Sequence, residues 1–600
     1  MPLHIHSNYS LLEGVITLDE IIEKTVNYNL PAVALTDTNG MYGLISFYKK
    51  ALEKNIKPIL GTYIDEPENL VNSNGHAELA CLPVRQVSAS HGVKRSHKET
   101  LRYAQSDRKK IYALFLAKNF DGYSDICRII TARKLKEDLP DGKAGFSLFK
   151  LLQNEFPNLF ILINSIELLQ SIPTYENIYA ELIITESHKF NSRKLFEAAK
   201  AKNFRYIISN PVYFSEPEDY LLHRVVTGIK NRDTFENLDD NELVDKEFCF
   251  KHPSSFDYLK NKIPEAFANI DFIASHCNVD LSLGQYKIPD FPDQPACLTA
   301  RQAGQAVEKD TYSKLWQYSY EGLKRRYGET AESIKSRLQE ELDVIYDLSL
   351  ADYFLIVHDI FLEAKKRRMM TVTRGSAANS LVCYCLGLTE VDPVKHNFYF
   401  TRFLNKSRSS LPDIDIDFSW KERDEIVQYV FQKYGYSKVA FISTHVTIKA
   451  RSAFRETAKV FGFSEEEISK LSRYIPWTDA RNLPEISKRF PESKSLNFDD
   501  EPWKSIINIA ARLANFPRHL SIHPGGIIIT PQPITTYTAV EFAKNKGVGL
   551  IITQPDMYGV EDMGLVKIDL LSQRSLGVLR DSMQQIKENG TESHPEPVEG

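Results

Sequence analysis

Seven residues, Pro412 to Phe418 (PDIDIDF), alternate acid and apolar without a break. In a β-strand successive side chains face opposite ways. Ile414, Ile416 and Phe418 therefore fall on one face, and Asp413, Asp415 and Asp417 on the other. Three carboxylates along one strand face repel each other, and divalent cations are the simplest compensation. Hard oxygen ligands with no cysteine nearby suit Mg²⁺ or Mn²⁺ rather than Zn²⁺. The bland alternative is a solvated edge strand with a polar face, for which strict alternation of acid and isoleucine is uncommon.

A second segment has the same grammar. In Leu565–Leu571 (LVKIDLL), Val566, Ile568 and Leu570 share one face, and Lys567 and Asp569 the other. A lone strand aspartate usually means little. Here Asp569 is a candidate third carboxylate from a neighbouring strand, with Lys567 as a cation beside it. Three carboxylates holding two metals form a clamp for in-line attack at phosphorus. Upstream, Arg374-Gly375-Ser376 enters an apolar stretch (LVCYCLG), where backbone N–H groups at a helix start suit a phosphate. Arg374 adds a permanently charged planar donor set. Taken alone the motif is weak, being neither a P-loop nor a dinucleotide fingerprint. Two basic runs, Lys324-Arg325-Arg326 and Lys365-Lys366-Arg367-Arg368, read equally as solvated helix ends or nucleic-acid contacts.

The chain has 600 residues, enough for roughly four compact units at about 150 residues each. With 42% hydrophobic and 26% charged residues, it is neither collagen-like, mostly disordered nor a disulfide scaffold. A net charge of −5 does not exclude nucleic acid, because a basic groove can sit on an acidic body. The 7 cysteines form no C-x-x-C pair, and Cys383 and Cys385 read as buried packing residues. The opening MPLHIHSNYS lacks a signal-peptide pattern and no long apolar run occurs, so the expectation is a cytoplasmic protein with no membrane partner.

Strand and helix alternate over residues 1–64. Strands are expected at Leu3–His6, Pro31–Thr36 and Lys57–Gly61, and helices at Leu18–Tyr28 and 44–54, a rhythm that favours a parallel sheet or barrel. Residues 65–110 read as an inserted loop. Strands resume at Ile111–Ala117, Leu159–Asn164 and Tyr206–Ser209, and 284–310 reads as a linker. Ala331–Leu348 is an amphipathic helix with Ile334, Leu338, Leu342 and Ile345 on one face. Later helices are expected at 421–434 and 450–461, strands at 438–443, 526–530 and 565–571, and disorder in the tail from Glu588.

From about 317 to 585 the chain resembles the catalytic core of the C-family bacterial DNA polymerases, the polymerase III alpha subunit group. The stretches that carry the resemblance are DYFLIVHDIF (352–361), RGSAANSLVCYCLGLTEVDP (374–393), FTRFLN (400–405), LPDIDIDF (411–418), FPRHLSIHPGGIII (516–529) and GLVKIDLLS (564–572), in the family's order. The spellings RGSAANS, VCYCLG and PRHLS look more like the error-prone branch. The resemblance implies a template-directed DNA polymerase core that adds deoxynucleotides to a primer 3′-hydroxyl in replication or error-prone repair synthesis. It implies catalytic and metal-binding roles for Asp415, Asp417 and Asp569, two Mg²⁺ ions (Mn²⁺ as the alternative), and nucleotide contacts from Arg374, Gly375, Ser376 and Lys567. Where the family usually has further glycines, this chain reads Thr371, Val372 and Thr373.

Residues 1–285 resemble the polymerase and histidinol phosphatase (PHP) domain attached to these polymerases, a distorted (β/α)₇ barrel that binds up to three metals in metal-bearing members. His4 and His6 match its H-x-H, Asp37 its strand-2 aspartate, and His223 remains. Thr38, Tyr63, Tyr112 and Pro211-Val212-Tyr213 stand where other ligands belong. Too few ligands remain for a cluster, so a vestigial site, a retained scaffold and no PHP metal are expected. The whole is then an α/β multidomain chain: barrel 1–285, first palm part 286–446, helical thumb 447–524, second palm part 525–574 of nucleotidyltransferase type, and from 575 to 600 the start of truncated fingers and the tail. The family continues with fingers, a clamp-binding motif and an oligonucleotide-binding barrel, through which a sliding clamp and other replisome subunits would be engaged. Primer–template DNA and deoxynucleoside triphosphates are the implied substrates. The competing readings are a silent fragment that binds DNA or partner subunits, and a phosphoesterase acting through the barrel.

Overall fold

The computed structural model describes residues 1–67, 110–135, 145–292, 304–328, 332–405, 412–543 and 550–588. The tail, nearly all of the expected insertion and part of the expected linker lie outside them. The chain divides into two compact units, Met1–Val279 with Thr447–Arg518, and Asp280–Val446 with the residues from His519 onward.

The first unit contains six strands, β1 (Ala32–Leu35), β2 (Lys57–Asp65), β3 (Tyr112–Ala117), β4 (Leu159–Ile163), β5 (Ile178–Ile183) and β6 (Arg205–Ser209), adjacent in sequence order. Strands β1, β3, β4 and β5 are buried along their whole length, as expected when both faces of a sheet are covered. The rhythm of the sequence predicts parallel pairing, and β1–β2, β4–β5 and β5–β6 are parallel. Strand β3, however, runs antiparallel to both neighbours, so the sheet is mixed. Local alternation of strands and helices does not by itself encode direction.

Leu3–His6 does not form the expected regular strand. It makes single bridging contacts: His6 N–H donates to the Val212 carbonyl at 2.8 Å, Val212 N–H to that of His4 at 3.0 Å, and Thr36 N–H to that of Ile5 at 2.9 Å. Thr36 follows β1 and Val212 follows β6, so one segment ties together the ends of both edge strands and the sheet curls.

The helices of Thr447–Arg518 belong to this same unit. Ala453, Phe454 and Ala458 of helix Ala450–Val460, with Ile506, Ile507 and Ala510 of helix Trp503–Arg512, share one core with Val225, Val226 and Ile229 of helix Tyr220–Asn231. An Arg512–Asp219 ion pair at 2.5 Å borders it. His223, on the latter helix, is held neutral by its surroundings. Its Nδ1 donates to the Glu13 carbonyl at 2.9 Å, its Nε2 accepts from Val244 N–H at 3.2 Å, and burial pushes its pKa down to about 4. The unfolded chain binds a proton below about pH 6.5 that the folded chain refuses until about pH 4. Stability from this site is therefore complete above that window and falls through it with decreasing pH, by about 3 kcal/mol in total. Urea midpoints of the wild type should drop between pH 7.5 and 5 more steeply than those of His223→Gln. An equal drop in the two proteins would refute this assignment.

The second unit is built on β7 (Thr371–Arg374), β8 (Asp415–Ser419), β9 (Val439–Thr447), β10 (Pro517–Ile529), β11 (Val540–Phe542), β12 (Ile551–Asp556) and β13 (Val566–Gln573), ordered β11-β12-β9-β10-β13-β8-β7. Ile416 and Phe418 of β8, and Val566, Ile568 and Leu570 of β13, are buried on the apolar face that alternation predicts. Among the described residues no helix is long and apolar enough to cross a membrane.

Candidate metal centre and active site

Sheet register builds the centre. β8 and β13 run parallel with Asp415 opposite Asp569, β7 pairs Arg374 with Asp415, and β10 pairs Gly526 with Asp569. Arg374, Asp415, Asp569 and Gly526 thus form one row across four strands, on the face opposite the apolar core. Slipping β8 or β13 by one residue would drive a carboxylate into that core. Asp417 lies two residues further along β8, opposite Val372 and Leu571.

The carboxylates are crowded and incompletely satisfied. Asp417 and Asp569 are only 5% and 6% exposed, and Oδ1 of Asp415, Asp417 and Asp569 is in each case buried with no hydrogen-bond donor among the described residues. Burial, reinforced by Asp413 and Asp569, pushes the Asp415 carboxyl up to about 6, against the pull of Arg374 and Lys567. Three orphaned anionic oxygens on one sheet face are what a divalent cation would satisfy. Among the described residues Asp413, Asp415 and Asp569 form a grouping whose ligand atoms lie within 4.8 Å of one another. Asp417 stands outside that grouping, with Arg374 Nε at 3.2 Å from its Oδ2. The structure thus brings Asp415 and Asp569 together, adds Asp413 at the exposed rim, and leaves Asp417 beside them on the arginine.

Lys567 lies between acids: its Nζ is 3.1 Å from Asp569 Oδ2, 3.8 Å from Asp413 Oδ1 and 3.9 Å from Glu561 Oε1. Burial opposes its charge, but Asp569, Asp413 and Glu561 together hold its pKa above the usual lysine value. His523 was not singled out in the sequence, although it sits in the SIHPGG stretch. Its Nδ1 accepts from Gly526 N–H at 2.7 Å and lies 3.8 Å from Asp569 Oδ1. Gly526 permits this: a Cβ there would come within 2.7 Å of that nitrogen and 3.2 Å of Asp569 Oδ1.

The segment after Arg374 departs from expectation. Gly375 opens a 3₁₀ turn, Gly375–Asn379, with φ +79°, the left-handed region that favours glycine. The N-terminus of the following helix, Leu381–Cys385, does not offer its N–H groups to a phosphate. The buried carboxylate of Glu341 already accepts from Leu381 and Val382 N–H. Any phosphate contact therefore falls to Arg374 and the turn. Cys383 and Cys385 are buried as expected. Of the basic runs, Arg325 donates to the Cys385 carbonyl at 2.9 Å, Arg326 pairs with Glu390 at 2.6 Å and Arg367 with Glu363 at 2.7 Å, so these arginines are engaged within the fold.

In the first unit the residues resembling metal ligands hold one another. His4 Nδ1 lies 2.7 Å from Glu181 Oε1, and His4 Nε2 lies 2.8 Å from His6 Nε2. His6 Nδ1 is 3.0 Å from Thr38 Oγ1 and 3.2 Å from Ser10 Oγ. Tyr112 donates to Glu181 Oε2 at 2.9 Å, Tyr63 stacks on Tyr112, and Tyr213 stacks on His6 at 4.1 Å. Asp37 is filled by Ser7 and Ser10, and burial pushes it up to about 6. The substituted positions 38, 63, 112 and 213 therefore do surround the histidine pair. His223 meets that pair through Tyr213, to which it packs edge-on and which itself stacks on His6 and Phe248. Glu181 escaped the sequence reading, though an acid within the apolar run IYAELII was its signal. The residues present do not suit a metal cluster, because aromatic rings and mutual hydrogen bonds fill the coordination space.

Residues 313–572 match the bacterial DNA polymerase III alpha NTPase domain, and residues 2–168 match the PHP domain. An error-prone DNA polymerase of Symbiobacterium thermophilum is 30% identical, over 99% of this chain and 53% of the relative. The DNA polymerase III subunit alpha of Bacillus subtilis is 31% identical, over 98% of this chain and 50% of its own length; that of Thermus aquaticus is 28% identical, over 98% and 52%. The chain spans about half the length of these curated relatives. With both matches in order and similarity over nearly its whole length, the chain carries a PHP domain followed by a polymerase III alpha NTPase domain and is homologous to bacterial DNA polymerase III alpha subunits and error-prone DNA polymerases.

Proposed function

We propose that the chain is the N-terminal and palm portion of a template-directed DNA polymerase, with Asp415, Asp417 and Asp569 as its metal-binding carboxylates. The observation that carries this reading is the set of three buried carboxylate oxygens on one sheet face, without a partner among the described residues, beside an arginine and a lysine. Under the same reading the curled sheet of the first unit is a distorted (β/α)₇ barrel, the helices of 447–524 are the thumb, and 575–600 begins the fingers.

Bound there, two Mg²⁺ ions, or Mn²⁺, would activate a primer 3′-hydroxyl and neutralise the charge on a departing pyrophosphate. The protein's share is placement. Asp415 and Asp569, fixed opposite each other by backbone pairing, hold their charges in a rigid frame that needs no rearrangement during reaction. Lys567 keeps the metal-free cluster from flying apart and supplies a cation beside the reacting phosphates. Arg374, tied to Asp417 Oδ2 yet half exposed, presents its remaining N–H donors outward to a triphosphate. Gly375 lets the chain turn directly after that arginine, so that Ser376 follows within the same contact.

Arg374→Ala should raise the nucleotide KM with little change in primer–template affinity. A charge-assisted contact to phosphate contributes about 1.5–3 kcal/mol, or roughly 10- to 150-fold. Steady-state extension at varied nucleotide, with DNA binding measured by anisotropy, separates the two effects. An unchanged nucleotide KM with weakened DNA binding would move Arg374 into the template–primer groove. The DNA, nucleotide and replisome partners of the full-length relatives are carried to this chain on the same reading.

A further inference from the structure

Glu341 is 1% exposed, an unusual place for a carboxylate. Its Oε2 accepts from Leu381 N–H at 2.7 Å, Ser380 Oγ–H at 2.9 Å and Val382 N–H at 3.1 Å, and its Oε1 from Arg337 Nε at 3.2 Å. Burial pushes its carboxyl up to about 7 against these donors. A charge so desolvated is costly even when paired, and well-packed apolar residues usually serve stability equally well. Its value must lie in what it fixes.

Arg337 reveals the target. One turn before Glu341 on helix Glu332–Asp347, it also donates through Nη2 to the carbonyls of Phe398 at 2.8 Å and Asn379 at 3.2 Å. Asn379 in turn donates from Nδ2 to the Ser376 carbonyl at 2.9 Å. The helix itself is anchored by buried Leu338, Leu342 and Ile345. The turn Gly375–Asn379 is thus pinned at both ends. Arg374, before it, is locked to β8 by pairing with Asp415, and Asn379–Val382, at its end, are gripped by two side chains of one helix.

We propose that Glu341 and Arg337 are positioning residues for nucleotide binding: they hold the turn Gly375–Asn379 so that Arg374 and Ser376 meet a triphosphate in register with the carboxylates of β8. The proposal rests on the polymerase reading above. It adds two residues that touch neither substrate nor metal, on a helix outside the sheet.

The test uses the full chain with primer–template and Mg²⁺. Glu341→Gln keeps the shape and removes the charge; Arg337→Lys keeps the charge and removes the fork. Each should raise the nucleotide KM about tenfold while DNA affinity and kcat at saturating nucleotide stay within about twofold. In an Arg374→Ala background the same change should cost less than about threefold more, because both act through one contact. Amide exchange over residues 375–382 should quicken in Glu341→Gln while the rest of the unit is unchanged. An unaltered KM, an undiminished tenfold effect in the Arg374→Ala background, or wild-type exchange in the turn would overturn the proposal. Quickened exchange in the turn of a chain whose wild type binds no nucleotide would instead overturn the polymerase reading, and the nucleotide role of the clamp with it.

Discussion

Asp569→Asn is expected to lower primer extension by about a thousandfold or more, equivalent to about 4 kcal/mol of lost transition-state stabilisation. The site makes the change severe and local. Asp569 is 6% exposed, sits opposite Asp415 across a parallel pair, and carries one oxygen on Lys567 and one with no donor. Asparagine fills the same space and removes an anion that repels Asp415, so the melting temperature should hold or rise as activity disappears. Asp417→Asn should behave likewise. Asp413→Asn should cost no more than about tenfold, since that side chain is half exposed at the rim and a surface charge near the site contributes little. Single-turnover extension by the three variants ranks the acids. Activity of Asp569→Asn within tenfold of the wild type would remove it from the reaction, and a larger loss from Asp413 than from Asp417 would redraw the triad around Asp413, Asp415 and Asp569.

The second large effect is expected in the N-terminal unit, and it is one of stability. His4 is the donor that faces Glu181, whose carboxylate is fully buried and is held below its usual range by that contact despite the burial. His4→Ala would strand this charge with only the hydroxyls of Ser209 and Tyr112 as remaining partners among the described residues. Leaving a buried ion unpaired costs about 3–5 kcal/mol. A fall of that size in unfolding free energy, with no change in metal content or in DNA degradation, is the expected result. Two or more tightly bound zinc or manganese ions per wild-type chain, with nuclease activity lost in His4→Ala, would instead make this unit a working phosphoesterase.

The two sites differ in how far they could be read from sequence. The carboxylate centre was legible because period-two alternation fixes faces without knowledge of partners: PDIDIDF and LVKIDLL each declare which residues face the core. What those strings cannot state is register. Only pairing sets Arg374, Asp415, Asp569 and Gly526 in one row, and only the folded sheet groups Asp413 with Asp415 and Asp569. Strand β3 was placed correctly but its direction was not, because a local pattern of residues does not carry strand direction.

Buried acids were the systematic omission. Glu341 lies three residues after Leu338 and one before Leu342, on the stripe that faces the core, and Glu181 interrupts an apolar strand. The helix was read by its apolar stripe alone, and the strand that holds Glu181 was not read at all. An acid inside an apolar stripe is a demand for buried donors, and here the donors are Ser380 to Val382 in one unit and His4 with Tyr112 in the other. His523 was hidden for a different reason: its role depends on a glycine pair folding the imidazole back on the backbone, which no residue-type pattern announces.

The most direct measurement is the number of Mn²⁺ ions bound by the chain, counted by electron paramagnetic resonance with primer–template and a non-hydrolysable deoxynucleotide analogue present. Two ions per wild-type chain, falling to one or none in Asp569→Asn and in Asp417→Asn and unchanged in His4→Ala, is the predicted result. Two ions that survive loss of either aspartate, or that disappear with His4, would contradict it.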